Sequence, residues 1–129
     1  QYNNKNSYQP SCSSRIYDLM DSRLSNIAIN YYKMTPGDVL PLHKDHYTKY
    51  CEIFKIAENQ KQHIMRYVYF VENRKPGHVL EINGTNIDNW QAGDWVAWKY
   101  DTPHMAANYG NEDRYTIQVT GVIRENLQQ

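Results

Sequence analysis

Hydrophobic positions along the chain change early from a helical spacing to an alternating one. Residues 1–12 are polar and carry hardly any periodic apolar content, so we expect an irregular lead-in. Ser13 or Ser14 is then a candidate N-cap for a short amphipathic helix that ends before the Ser25-Asn26 pair. Its apolar positions are Ile16, Leu19, Met20 and Leu24. The pattern therefore predicts a short N-terminal helix.

From Ile27 to Ile123 the chain carries short runs rich in Tyr, Val, Ile and Trp, separated by turn residues. We predict eight strands, over residues 26–34, 38–43, 50–56, 63–72, 77–83, 94–99, 103–109 and 113–122. The turn signals between them are Pro36-Gly37, Pro76-Gly77, Asn83-Gly84, Ala92-Gly93 and Gly110-Asn111. Such a succession with little helix favours a mainly β, double-stranded β-helix (jelly roll), in which two four-stranded antiparallel sheets enclose a cavity.

Length and charge narrow the class of protein. At 129 residues the chain can bury one core, and we expect residues 13–129 to form a single domain. Lys plus Arg and Asp plus Glu number 14 each, so no net charge attracts nucleic acid or an anionic membrane. Cys12 and Cys51 match neither a CxxC pair nor a zinc pattern, which favours free thiols, although one disulfide also fits. Since no apolar run approaches the ~20 residues that span a bilayer, we expect a soluble cytoplasmic protein.

His43 and Asp45 are separated by one residue at the end of the second predicted strand. Because a strand has a two-residue period, both side chains point to the same face. His104, which follows Pro103 and opens the seventh predicted strand, is the best-placed third ligand. Two histidines and one carboxylate on one side of a metal leave the opposite positions open, as in non-haem iron(II) oxygenases. A histidine and an aspartate at this spacing are weak evidence alone, and the order of the whole set strengthens the prediction.

Arg114 follows His104 by ten residues, across the Gly110-Asn111 turn. In an antiparallel arrangement it would lie deep in the cavity, where a guanidinium can bind a carboxylate at two points. Thr116 shares that face and can add a hydroxyl donor. The alternation of polar and apolar residues over 114–120 also fits an ordinary strand with one wet face, and this interpretation stays open.

Three stretches resemble the 2-oxoglutarate- and iron(II)-dependent oxygenases with the double-stranded β-helix fold. The nearest branches are the aspartyl/asparaginyl β-hydroxylase-like and prolyl-hydroxylase-like ones. The stretches are TPGDVLPLHKD at 35–45, RYVYFVENRKPGHVLEING at 66–84 and GDWVAWKYDTPHMAANYGNEDRYTIQVTG at 93–121. The resemblance implies that His43, Asp45 and His104 bind Fe(II). It also implies that Arg114, with Thr116, binds the distal carboxylate of the co-substrate 2-oxoglutarate.

Arg66 shares a predicted strand face with Ile64, Val68 and Phe70. A lone cation on an apolar face is costly unless it is paired or extends to water. The resemblance gives it a second role, contact with the co-substrate, and both interpretations stay open. Aromatic residues on strands form cores more often than pocket walls. We therefore expect at most two of the following six to line the cavity: Tyr31, Tyr32, Tyr67, Tyr69, Trp95 and Trp98.

The resemblance implies hydroxylation of a C–H bond, with release of succinate and CO2. Asp45 favours hydroxylation over halogenation, because halogenating members replace this carboxylate with a small residue. The substrate is expected to be a peptide, an amino acid or another small molecule that meets the loops at 44–50, 57–62 and 84–92, the last of which carries Trp90. The sequence does not predict an oligomeric state.

Two rival functions follow from the same residues. Gly37 with His43, and His104 with Asn108, partly match the two motifs of cupin dioxygenases and isomerases, although a cupin would carry a histidine at position 45. A non-catalytic jelly-roll binding module is the third possibility. The other histidines, His46, His63 and His78, are assigned to the surface or to loops.

Overall fold

A computed structural model describes residues 23–124 of the chain. Strand β1 spans Leu24–Met34, β2 Val39–His43, β3 Ile64–Phe70, β4 His78–Ile82, β5 Thr85–Ile87, β6 Trp95–Lys99, β7 His104–Asn108 and β8 Arg114–Ile123. Helix α1 spans Thr48–Phe54, and a 3-10 helix spans Glu58–His63.

The strands form two four-stranded sheets within the described range. One sheet has the order β1-β8-β3-β6 and the other the order β2-β7-β4-β5, and every pair is antiparallel. This confirms the mainly β, double-stranded jelly-roll architecture expected from the alternating pattern. Seven of the eight predicted strands are present.

The predicted strand at 50–56 is wrong, because these residues belong to helix α1 and the turn after it. Tyr50 is fully buried, and its ring lies 4.9 Å from that of Phe54, four residues on. That spacing is helical, although Cys51 and Ile53 also fit an alternating strand. The eighth strand is β5, which the sequence analysis missed. It follows the Asn83-Gly84 turn, whose residues both have positive φ, as a two-residue hairpin requires.

The predicted N-terminal helix and lead-in lie outside the described residues, except for Arg23 and Leu24. Leu24 was assigned to the end of the helix, whereas it begins β1. Cys12 also lies outside the described range, and Cys51 in α1 is a free thiol, as expected. Neither helix of residues 23–124 has the length and apolar character needed to cross a bilayer.

The two sheets meet through a core that fills one part of the space between them. Val68, Phe70 and Trp98 come from the first sheet, and Leu80 and Ala106 from the second. Alternate residues of each strand face this space, as the two-residue period requires. The rest of the space between the sheets is the cavity that contains the candidate site.

The hairpins at one end of the cavity are joined by polar contacts. The Asn108 side chain donates to the backbone carbonyls of Met34 (2.9 Å) and Glu112 (2.8 Å) and accepts from the Gly110 amide (2.9 Å). His78 also contacts the Glu112 carbonyl, through Nε2 at 2.9 Å. His78 is 1% exposed, so its assignment to the surface was wrong. Nε2 of His78 thus joins β4 to the turn before β8, while its Nδ1 is buried without a partner among the described residues.

Candidate metal centre

The sheet register places the two candidate histidine ligands side by side. His43 ends β2 and His104 begins β7, and the two residues are partners in the antiparallel ladder. Their ring centroids lie 4.4 Å apart. Asp45 follows His43 by two residues, in the loop between β2 and α1. The structure therefore brings together all three residues that the sequence analysis proposed as metal ligands.

Both histidine rings are oriented by backbone carbonyls two residues earlier in the chain. Nδ1 of His43 lies 2.7 Å from the Pro41 oxygen, and Nδ1 of His104 lies 3.0 Å from the Thr102 oxygen. Since a carbonyl can only accept, each Nδ1 must carry a proton and donate it. In a neutral ring Nε2 then has a free lone pair, which is the form that binds a metal.

The two Nε2 atoms point at the carboxylate of Asp45. Nε2 of His43 lies 3.1 Å from Oδ1, and Nε2 of His104 lies 3.3 Å from Oδ2. One donor atom from each of the three residues falls within 4.8 Å of the others. A proton on Nε2 makes these contacts hydrogen bonds, whereas in the neutral rings the two Nε2 lone pairs and the carboxylate converge on a position that a cation can occupy. The donor set fits a divalent metal of the iron, cobalt, nickel or zinc type.

Asp45 is held in its charged form. Burial by itself would raise its pKa, but the hydrogen bond with His104 and the charge of Arg66 outweigh it, and the charges of the two histidines add to them. The pKa of the carboxyl group therefore lies well below its usual range. A carboxylate that is ionised at all physiological pH values is ready to bind a cation.

Arg66 is buried, with 5% of its surface exposed, and each of its three side-chain nitrogens donates a hydrogen bond. Its Nη1 donates to Oδ2 of Asp45 at 2.6 Å, and Nε and Nη2 donate to Oγ1 of Thr120 at 3.1 and 2.9 Å. The guanidinium carbon also lies 4.6 Å from the ring centroid of Tyr47. Arg66 is thus paired and does not extend to water, whereas its contact with a co-substrate stays a prediction.

One cavity of about 660 Å³ contains the three candidate ligands together with Arg66, Arg114 and Thr116. Two of the six strand aromatics, Tyr32 and Trp98, line it, which agrees with the expected limit. Of the three loops proposed to meet substrate, 44–50 lines the cavity and the other two do not. Trp90, in the third loop, is buried and stacks on Phe70 with the ring centroids 4.3 Å apart.

Arg114 lies toward the other end of the cavity from the candidate ligands. Strand β7 rises from His104 to Asn108 by about 13 Å, at ~3.3 Å per residue. Asn108 is bonded to the carbonyl of Met34, which pairs with Arg114 across β1 and β8. Thr116 is buried two residues further along β8. Arg114 and Thr116 are therefore both in the cavity wall, where the sequence analysis expected them.

The guanidinium of Arg114 is buried without a hydrogen-bond partner for Nε or Nη1 among the residues that the structure describes. Burial lowers the pKa of Arg114 to about 10, so the group is still charged at neutral pH. Two buried donors without acceptors are unfavourable, and an anion that enters the cavity can supply those acceptors. This part of the cavity therefore suits a carboxylate or another small anion.

The sequence analysis did not find the pairing of Arg66 with Asp45 and Thr120. Thr120 is 54 residues from Arg66 and becomes its neighbour only when β3 pairs with β8. It also missed the contact of Trp98 with His104, whose ring centroids lie 4.6 Å apart. The alternation of polar residues on β8 was the one available signal in the sequence. It indicated which face of the strand carries Thr120 but did not identify Arg66 as its partner.

No family model and no curated protein sequence matches the chain. Solved structures do match its fold. The non-haem monooxygenase ThoJ, in complex with nickel, is 13% identical with a TM-score of 0.56, and the match covers 74% of this chain and 42% of that one. The cupin domain of Cnp3 from Schizosaccharomyces pombe is 10% identical with a TM-score of 0.52, covering 81% of this chain and 60% of that domain.

A predicted oxalate decarboxylase from Thermotoga maritima is 18% identical, with a TM-score of 0.50 over 88% of this chain and 75% of that one. At these identities the likenesses show the fold alone. The chain therefore has a cupin-type jelly-roll fold, in which the described residues include a possible three-residue metal site.

Proposed function

We propose that the protein is a 2-oxoglutarate- and Fe(II)-dependent dioxygenase that hydroxylates a C–H bond of a peptide, amino acid or small-molecule substrate, releasing succinate and CO2. One observation carries this proposal. A single cavity holds a two-histidine, one-carboxylate donor set and, separately, an arginine with two buried, unpartnered donors. Each of these features fits one of the two components that such an enzyme binds.

The donor set of His43, Asp45 and His104 would hold the metal. Three protein ligands on one side leave further coordination positions open to the cavity. Bound iron(II) would supply the activation of dioxygen, which no protein side chain provides. The protein's own contribution is to orient the two imidazoles through Pro41 and Thr102 and to keep the carboxylate ionised.

Arg114 would bind the distal carboxylate of 2-oxoglutarate, with the hydroxyl of Thr116 as an additional donor. Its planar group can bind a carboxylate at two points, which fixes orientation as well as supplying charge. The ~13 Å rise of β7 from His104 to Asn108 leaves room for an extended arginine side chain and a five-carbon dicarboxylate placed end to end. Tyr32 and Gln118 also line the cavity.

A cupin-type metal dioxygenase or isomerase that works without 2-oxoglutarate is the second candidate. The fold likenesses favour it, since two of the matched proteins are named as a cupin domain and a predicted oxalate decarboxylase. Two features oppose it. Asp45 stands where a cupin would carry a histidine, and Asn108 is committed to three backbone contacts.

A non-catalytic binding module is the third candidate, and the energetics argue against it. Such a module would have no reason to keep an arginine with two buried, unpartnered donors, because such donors lower its stability. Retention of costly groups in one cavity is typical of a functional site.

Anaerobic titration with Fe(II) and then 2-oxoglutarate separates the three candidates. The proposed dioxygenase is expected to bind one iron and to develop a weak visible charge-transfer band when 2-oxoglutarate chelates it. Glutarate is the matched control, because it lacks the keto oxygen needed for chelation and should give no band. Stoichiometric iron without the band would favour the cupin candidate, and absence of iron binding would favour the binding module.

A further inference from the structure

Arg66 differs from Arg114 because its donors are already bonded inside the protein. All three of its nitrogens donate, one to Asp45 and two to Thr120. We infer that Arg66 is a positioning residue, which holds Oδ2 of Asp45 and leaves Oδ1 to bind the metal. The inference rests on the proposed metal site and is independent of 2-oxoglutarate.

Asp45 needs such a contact more than the other two candidate ligands do. His43 and His104 are paired in the ladder of β2 and β7, and each ring is bonded to a carbonyl. Asp45 lies beyond the end of β2, in a loop without regular structure. Its orientation therefore depends on side-chain contacts, of which the 2.6 Å bond from Arg66 is the shortest.

Arg66 is itself held rigidly, which a positioning role requires. It lies opposite Thr120 in the ladder of β3 and β8, and Thr120 is fully buried. The two bonds to Oγ1 and the ring of Tyr47 fix the plane of the guanidinium. Side-chain freedom is thus lost on folding, before any metal binds, and it need not be lost again on binding.

Charge and positioning predict opposite effects on metal affinity. A cation beside the site repels a metal ion, so removal of the charge of Arg66 alone would tighten metal binding. Loss of a contact that orients a ligand weakens it, typically by about 10- to 100-fold. Weaker binding in an Arg66 variant would therefore identify positioning as the dominant effect.

The test is calorimetric titration of Arg66→Gln with Co(II) in the absence of 2-oxoglutarate, followed by the visible spectrum of the cobalt-loaded protein. We expect affinity to fall by about 10- to 100-fold. We also expect the ligand-field bands to change, because the freed Oδ2 can join Oδ1 on the metal. Lys49→Gln, which removes an exposed cation from the same cavity wall, is the matched control and should bind cobalt as the parent does.

Two further variants keep the inference falsifiable. Arg66→Lys retains the charge but cannot bond Asp45 and Thr120 together, so it should resemble Arg66→Gln and not the parent. Should Arg66→Gln not fold, Thr120→Val removes only the anchoring hydroxyl and should still weaken cobalt binding.

Four outcomes would overturn the inference. Parental cobalt affinity in the Arg66 variants would do so, as would parental affinity in Thr120→Val where Arg66→Gln does not fold. Weakened 2-oxoglutarate binding with unchanged cobalt binding would assign Arg66 to the co-substrate instead. A parent protein that bound no metal would overturn the proposed function, and this inference with it.

Discussion

Replacement of Arg114 by methionine is expected to stabilise the ligand-free protein and, in the same molecule, to weaken 2-oxoglutarate binding. Two buried donors of Arg114 lack acceptors in residues 23–124, and each such donor costs about 1–3 kcal/mol. Burial also lowers its pKa to about 10, which at ~1.4 kcal/mol per pH unit disfavours the charged form by about 3 kcal/mol. Methionine has a similar length and no charge or donors.

These costs describe one penalty in two ways and agree at about 3 kcal/mol, so we expect the free energy of unfolding to rise by up to about 3 kcal/mol. In the opposite direction, loss of one buried charge-assisted pair is expected to weaken 2-oxoglutarate binding by about 2–5 kcal/mol, or roughly 30- to several-thousand-fold. With metal present and 2-oxoglutarate at 100 times its Kd, the parent gains about 2.7 kcal/mol from binding. Excess 2-oxoglutarate should therefore cancel or reverse the difference in stability.

Urea unfolding with and without Mn(II) and 2-oxoglutarate measures the stabilities, and calorimetry measures the affinity. Lys33→Met is the matched control, because Lys33 is an exposed cation adjacent to Met34, the ladder partner of Arg114. It should change neither quantity appreciably. The reasoning would be refuted if Arg114→Met were less stable than the parent and bound 2-oxoglutarate equally well. Arg114 would then be a structural residue held by protein contacts.

Three other perturbations test the metal site and the fold. Alanine at either ligand histidine should abolish stoichiometric Fe(II) binding by calorimetry, whereas His46→Ala should not, and equal binding in all three variants would exclude the site. Asp45→Gly should bind Fe(II) more weakly unless 2-oxoglutarate is present. It should also lose substrate hydroxylation to a greater extent than any residual 2-oxoglutarate decarboxylation. Iron binding and turnover equal to those of the parent would mean that Asp45 is no ligand. Gly110→Ala should lower the free energy of unfolding by about 3 kcal/mol, because its Cβ would lie 2.0 Å from a backbone oxygen. Gly37→Ala, whose Cβ meets nothing within 4 Å, should cost only about 1 kcal/mol for its positive φ, and equal costs would contradict this account.

The sheets were predictable because local pattern and tertiary structure agree along most strands. Strands β3 and β8 alternate between two packed faces, so their periods and approximate bounds could be determined from the sequence. Helix α1 was not predictable in this way, because its apolar residues fit both a helical and an alternating spacing. Only the burial of Tyr50 in the folded protein distinguishes the two. Strand β5 has three residues, of which only Ile87 is apolar, too few to define any period.

In the candidate site, too, contacts between residues close in sequence were predictable and contacts between distant residues were not. His43 and Asp45 could be paired from sequence by their two-residue spacing, although Asp45 lies past the end of β2, where the strand period no longer sets the direction of its side chain. The partners of Arg66 could not, because Thr120 and Asp45 reach it only through the sheet register and a loop. His78 was misassigned for the same reason, since its carbonyl partner is 34 residues away.

The two cavity arginines show how hydrogen-bond satisfaction separates roles that charge alone does not. Arg66 and Arg114 lie on adjacent strands of one sheet and line the same cavity. Arg66 has protein acceptors for its donors, so its burial is compensated before any ligand binds. Arg114 has none for Nε and Nη1 within the described chain, so a ligand that supplies acceptors would compensate their burial. A ligand that accepts hydrogen bonds from these donors gains affinity from the same groups that destabilise the free protein. Substitution of Arg114 should therefore raise stability and weaken 2-oxoglutarate binding. Substitution of Arg66 should not have these opposite effects.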